Sequence, residues 1–202
     1  MTRLMPFSYP QTTLARRHGP RGYQRYQSFK PWLRDECTFR CIYCLVRETW
    51  SHDGPNVFGV DHIVPKSKDS ARECEYANLI YACNRCNALK GSVTDGPNPL
   101  AETFDDLLVV GEDGTITAKN PRGKRMIRLF LLDSTERTRY RAKLIRLVRK
   151  LRNVADRRAW IGFPEDLPDL RLQRPPDGND RPEGLEQCYF VQREQGVLPD
   201  TY

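Results

Sequence analysis

Two C-x-x-C knuckles, Cys41 with Cys44 and Cys83 with Cys86, constrain the fold more than any other feature of the chain. A knuckle turn points both of its side chains inward, so two knuckles supply the four thiolates that a tetrahedral structural Zn2+ takes at about 2.3 Å. Here 38 residues separate the two halves, against about 15 to 20 in a simple zinc ribbon. A sizeable module is therefore inserted between them, and the zinc would clamp its two ends. The insertion holds the pair Asp61-His62 and also Asn78, and Asn87 follows Cys86 directly. The cysteines number seven, an odd set, and knuckle pairs suit metal ligation in a reducing cytosol better than a secreted disulfide framework.

The chain has 202 residues, 39% apolar and 29% charged, which suits one ordinary soluble domain with appended segments, or two small ones, and leaves little surplus for a large core. A metal staple would help such a core. The net charge of +7 points toward an anionic partner. The first thirty residues are polar and Arg-rich with no apolar leader segment, and no run approaches the roughly 18 apolar residues of a membrane span. The expectation is a soluble, cytoplasmic protein that makes no use of a membrane.

Four segments follow from composition. Residues 1–28 read as an irregular basic arm, in which Tyr23, Tyr26 and the adjoining Phe29 either stack on bases or pack on the domain. Residues 29–94 form the core with the zinc site. A short helix over 28–39 carries Pro31 in its first turn, residues 56–64 give two short β segments ended by Pro65, and a compact turn leads into a helix from Asn84 to Gly91. Residues 95–161 hold a hairpin around Gly111–Gly114, a short helix over 122–132 and one long helix from a cap at Asp133 to about Trp160. That long helix sets ten Arg or Lys against Glu136 and Asp156. Residues 162–202 carry six prolines and nine acidic residues against four arginines, which reads as a solvated acidic tail or a shield for the basic helix, with Cys188 marking a final strand. The expected class is α+β.

The inserted residues suit phosphodiester cleavage, which needs a base for a water proton and positive charge against the phosphorane. His62 has a suitable ordinary pKa for the base. Asp61 points to the other side of the strand and offers a hard oxygen, and Asn87 offers an amide oxygen, with Asn84 as a second candidate. Two protein oxygens would leave most of an octahedral Mg2+ shell to water and phosphate. Three other readings stay open at this point: His62 as a zinc ligand, His62 as a packed core histidine, and Cys37 pairing with Cys41 as C-x-x-x-C.

The ordered series of a first C-x-x-C, then DHIVP, Asn78-Leu79, C-x-x-C-N and Lys90-Gly91, over about residues 37–92, resembles the HNH endonucleases. The resemblance implies a zinc-stapled ββα-metal core that cuts by a one-metal mechanism. It implies His62 as general base, Asp61 and Asn87 as ligands of the catalytic divalent cation, Asn78 as the residue that braces the loop, and Cys41, Cys44, Cys83 and Cys86 on structural Zn2+. Many relatives have His where this chain has Asn87, and the Asn favours Mg2+ or Mn2+. DNA is the implied substrate, with RNA sharing the same chemistry. A place in phage defence or restriction beside a companion protein is permitted by the resemblance. The alternative outside catalysis is a zinc module that only binds nucleic acid or a partner protein.

Overall fold

The computed structural model describes residues 5–173 and 184–202. At its centre, strands β1 (Phe58–His62) and β2 (Leu79–Cys83) pair antiparallel, with Phe58 opposite Cys83 and His62 opposite Leu79. Helix α2 (Asn84–Lys90) follows β2 without a loop. The Cys83 sulfur caps its start by accepting from the Cys86 amide at 3.4 Å, and Gly91 ends it at φ 49°, a left-handed conformation that glycine adopts without steric cost. This is a ββα unit in an α+β protein, as expected.

One side of the hairpin is covered by α1 (Lys30–Glu36), whose first turn contains Pro31 and whose Trp32 and Leu33 are buried. Phe58 stacks on Tyr81 with ring centroids 5.3 Å apart. Beyond the unit come a small hairpin, β3 (Leu108–Val110) with β4 (Ile116–Ala118), and then α3 (Pro121–Phe130) and α4 (Thr135–Lys150). Tyr43 of the first knuckle stacks on Phe130 at 4.4 Å and so joins α3 to the central unit. Gly114, at φ 84°, brings the hairpin turn so close to α4 that a Cβ there would lie 2.5 Å from the Ala142 nitrogen. Among the described residues, no helix is long and apolar enough to cross a membrane.

Several expectations need correction. Residues 56–64 contain one strand, not two, and its partner is the Leu79–Cys83 segment read from sequence as a turn. Leu79, Ile80, Tyr81 and Ala82 are all buried, so the strand shows none of the alternation that marks a half-exposed one. The long basic helix is two helices: α4 ends at Lys150, Leu151 is extended, and Asn153 caps α5 (Val154–Ile161) by accepting from the Asp156 amide at 2.7 Å. The cap of α4 is Ser134, not Asp133. Cys188 precedes a helix, α6 (Tyr189–Glu194), instead of lying in a strand. The solvated-tail reading fails for the described part of 162–202: Leu167, Leu170, Leu185 and Val191 are buried, and Tyr202 packs on Phe39. Residues 174–183 of that tail lie outside the described residues.

The N-terminal arm is irregular but anchored. Arg16 pairs with Glu36, while Arg17 and His18 both reach Asp35, and these two carboxylates lie buried at the end of α1. Phe7 and Tyr9 are buried in the core.

Candidate active site and zinc centre

The zinc centre is assembled by local turns. In the first knuckle the Cys41 amide donates to the Val46 carbonyl and the Leu45 amide to the Cys41 carbonyl, both at 2.9 Å, which closes the chain on itself. The second knuckle is the junction of β2 and α2. Together they bring the four sulfurs of Cys41, Cys44, Cys83 and Cys86 within 4.8 Å of one another. The Cys44 and Cys83 sulfurs are 3.8 Å apart. That matches the edge of a tetrahedron with metal–sulfur bonds of about 2.3 Å and is nearly twice a disulfide bond. Burial pushes the Cys41 thiol well above its usual range, while neighbouring sulfurs lower those of Cys44 and Cys83; four thiolates this close repel one another, so the group needs a cation to hold all four deprotonated. The donor set fits structural Zn2+.

Neither rival ligand joins the cluster. Cys37 is buried apart from it, where desolvation pushes its thiol up to about 12. The His62 imidazole is engaged elsewhere.

A residue outside the knuckles completes the centre. Arg137, in the first turn of α4, places both terminal guanidinium nitrogens against the Cys86 sulfur, at 3.7 and 3.8 Å. Donation to a zinc-bound thiolate offsets the double negative charge of a four-Cys site and orients the sulfur. Replacement of such supporting partners commonly costs about 10- to 100-fold in metal affinity. We expect Arg137→Gln to release zinc to a chromogenic chelator at least about tenfold faster than the unaltered protein, and equal rates would show that the contact carries no weight.

The second group of residues lies along β1 and α2. Asp61 and His62 are neighbours on a strand and point to opposite faces. On the α2 side the Asp61 carboxylate is 3% exposed. Its Oδ2 accepts from the Tyr43 hydroxyl at 2.6 Å, and its Oδ1 accepts from the His62 amide at 2.8 Å and from Lys90 Nζ at 3.2 Å. Burial raises the Asp61 pKa, against the pull of Lys90 and Tyr43. Asn87, one turn before Lys90, donates its side-chain amide to the Val60 carbonyl at 3.3 Å. That contact sets Asn87 against the residue before Asp61, and its amide oxygen has no hydrogen-bond partner among the described residues.

On the other face, His62 Nε2 lies 3.0 Å from the Glu73 carbonyl, and Tyr26 of the arm meets the ring edge-on at 4.7 Å between centroids. A carbonyl can only accept, so Nε2 carries the proton and Nδ1 is the basic nitrogen. Desolvation lowers the His62 pKa, which keeps the ring neutral at neutral pH. Asn78 is fully buried and ties the intervening loop: its Oδ1 accepts from the Val64 amide at 2.8 Å, and its Nδ2 donates to the Val64 and Arg72 carbonyls at 3.0 and 3.2 Å.

A carboxylate next to an amide oxygen is the hard donor chemistry that Mg2+ or Mn2+ takes. Asp61 and Asn87 are donors of that type, and Lys90 holds the Asp61 oxygen that faces α2. Asn84 is exposed and turned to the Asn56 carbonyl at 3.5 Å, away from this group. Sequence reasoning assigned no role to Lys90, because a lysine in the last turn of a short helix reads as a solvated charge against the helix dipole. Its ammonium is instead buried, at 1% side-chain exposure, between Asp61 and the His62 carbonyl. Lys90→Met would leave the buried carboxylate unpaired, and the expected loss is about 3–5 kcal/mol of stability. Urea unfolding checks this, and a loss below about 1 kcal/mol would mean the pair is dispensable.

Residues 41–92 match the family model of the HNH endonuclease, about a quarter of the chain. No curated protein matches the chain. The matched segment begins at the first zinc ligand, takes in both central strands and α2, and ends just after Gly91. Over these residues the chain matches an HNH endonuclease domain, which supports a nuclease-type function in general terms.

Proposed function

We propose that the chain is a metal-dependent endonuclease that hydrolyses DNA phosphodiester bonds, with His62 as general base and Asp61 and Asn87 as the protein ligands of Mg2+ or Mn2+. The observation that carries the reading is the bond between His62 Nε2 and the Glu73 carbonyl. It fixes the tautomer, so that a neutral imidazole presents Nδ1 to a water proton and becomes an imidazolium stabilised by the same carbonyl. Tyr26 holds the ring from the side, and Asn78 holds the loop that supplies residue 73, so the base is positioned by packing and not by a flexible stem. Asp61 accepts from the His62 amide, which ties the ligand to the base through one strand step. When bound, the cation supplies positive charge against the phosphate and the leaving oxygen. One such site handles one strand at a time, so the expected product from supercoiled plasmid is a nicked circle.

The test is incubation of the zinc-loaded protein with supercoiled plasmid, single-stranded DNA and RNA, with and without added Mg2+ or Mn2+. The reading expects nicked plasmid only with the added cation, and loss of nicking in Asn87→Ala with zinc content unchanged. Cleavage of RNA alone would move the substrate class. Binding without cleavage of any of the three would replace the nuclease reading with that of a zinc module that only binds.

A further inference from the structure

The basic residues of α4 divide into two sets with different surroundings. Arg137 faces Cys86, and Arg141 is buried and donates to the Gly114 and Leu132 carbonyls at 2.7 Å each. These two lie on the side of the helix that buries Leu144, Ile145 and Val148. Arg149, on the flank, pairs with Glu112 at 3.0 Å. The second set is Arg139, Lys143, Arg146 and Lys150, spaced by four, three and four residues. At about 100° per residue they form one stripe diametrically opposite the buried side. All four are exposed, and none has an acidic partner among the described residues; the Arg146 side chain meets only the Ala142 carbonyl of its own helix.

Like charges three and four residues apart oppose helix formation by a few tenths of a kcal/mol per pair. The fold therefore carries this stripe at a cost that no internal carboxylate offsets. Elsewhere it offsets such costs: Lys119 meets Asp105, Arg125 meets Asp95, Arg158 meets Asp200 and Arg171 meets Asp169. The stripe runs about 16 Å along the helix axis at about 1.5 Å per residue. Duplex DNA offers one phosphate charge per about 1.7 Å of its axis, a density that four cations over that length can engage together. In the basic N-terminal arm, by contrast, Arg16 and Arg17 are bound to Glu36 and Asp35.

We propose that the outward face of α4, formed by Arg139, Lys143, Arg146 and Lys150, is a phosphate-binding surface that holds the nucleic-acid backbone outside the catalytic residues. This rests on the nuclease reading above and adds to it where the substrate is gripped. The face engages phosphates without reading bases, so it supplies affinity and no sequence preference.

The experiment measures binding of the full chain to a fluorescently labelled DNA duplex by anisotropy, across about 50 to 200 mM salt and without added divalent cation. A variant with Arg139→Gln, Lys143→Gln, Arg146→Gln and Lys150→Gln is compared with a control of equal charge loss, Lys119→Gln, Arg125→Gln, Arg158→Gln and Arg171→Gln. The expected result is a decrease of about 3 to 4 in the slope of log affinity against log salt for the stripe variant, and a change under about 1 for the control. Circular dichroism confirms that both keep their helices. Equal losses in the two variants, or an unchanged slope in the stripe variant, overturn the proposal. If the unaltered protein nicks plasmid while the stripe variant binds normally, the surface is wrong and the nuclease reading stands. If the unaltered protein neither binds nor cuts, both fall.

Discussion

Cys83→Ser is expected to abolish cooperative folding of the central unit, and not only to weaken it. The sulfur of Cys83 does two jobs, as one corner of the four-sulfur cluster and as the acceptor that caps α2. Structural zinc contributes apparent free energies of about 10–16 kcal/mol in small zinc-binding peptides, and a domain is typically stable by about 5–15 kcal/mol in total. The loss of one thiolate corner thus removes a term as large as the whole net stability. The consequence should spread, because the two knuckles close the ends of the insertion that holds β1, the loop braced by Asn78, and β2. We expect the unaltered protein to carry one equivalent of zinc by elemental analysis and Cys83→Ser to carry none, with loss of the near-ultraviolet dichroism of buried Tyr43 and Tyr81. Cys37→Ser, altered at a buried thiol outside the cluster, should retain its zinc. A Cys83→Ser protein that holds a full equivalent of zinc and melts at the same temperature would remove Cys83 from the site.

The parts of the site that were legible in the sequence are those fixed by local geometry. Knuckle spacing identifies Cys41, Cys44, Cys83 and Cys86 because the turn that presents two sulfurs lies within each four-residue segment. The alternation of a strand separates Asp61 from His62, and Gly91 marks the end of α2, since both depend only on backbone period and φ. What stayed hidden depends on burial by distant chain. Leu79–Cys83 is covered on both faces, so its side chains show no period by which to tell it from a turn or a buried helix. Lys90 differs from a solvated lysine only because Asp61 and the His62 carbonyl lie opposite it. Arg137 carried a usable signal: it stands seven residues before Leu144, on the apolar side of α4, where a charged group must find a partner. The break before α5 was legible too, in Asn153 followed three residues later by Asp156, whose amide it caps. The long apolar pattern around it outweighed that signal.

His62→Ala is expected to lower the rate of DNA nicking by about 10²- to 10⁴-fold, the usual contribution of a positioned general base. The size follows from how completely the ring is committed. With Nε2 held by the Glu73 carbonyl and one edge against Tyr26, the imidazole has one nitrogen left for chemistry, and His18 is bound to Asp35 inside the arm contact. The variant should still fold. The Tyr43, Lys90 and backbone contacts of Asp61 do not involve the imidazole, and the zinc cluster contains no histidine. Zinc content and melting temperature are therefore expected to stay close to those of the unaltered protein while turnover collapses. Comparison of His62→Ala with Tyr26→Leu separates chemistry from positioning: the second keeps the base and loosens its ring, so a smaller loss is expected. Single-turnover rates on supercoiled plasmid read both effects free of product release. A His62→Ala protein that nicks within about threefold of the unaltered rate would end the assignment of His62 as the base.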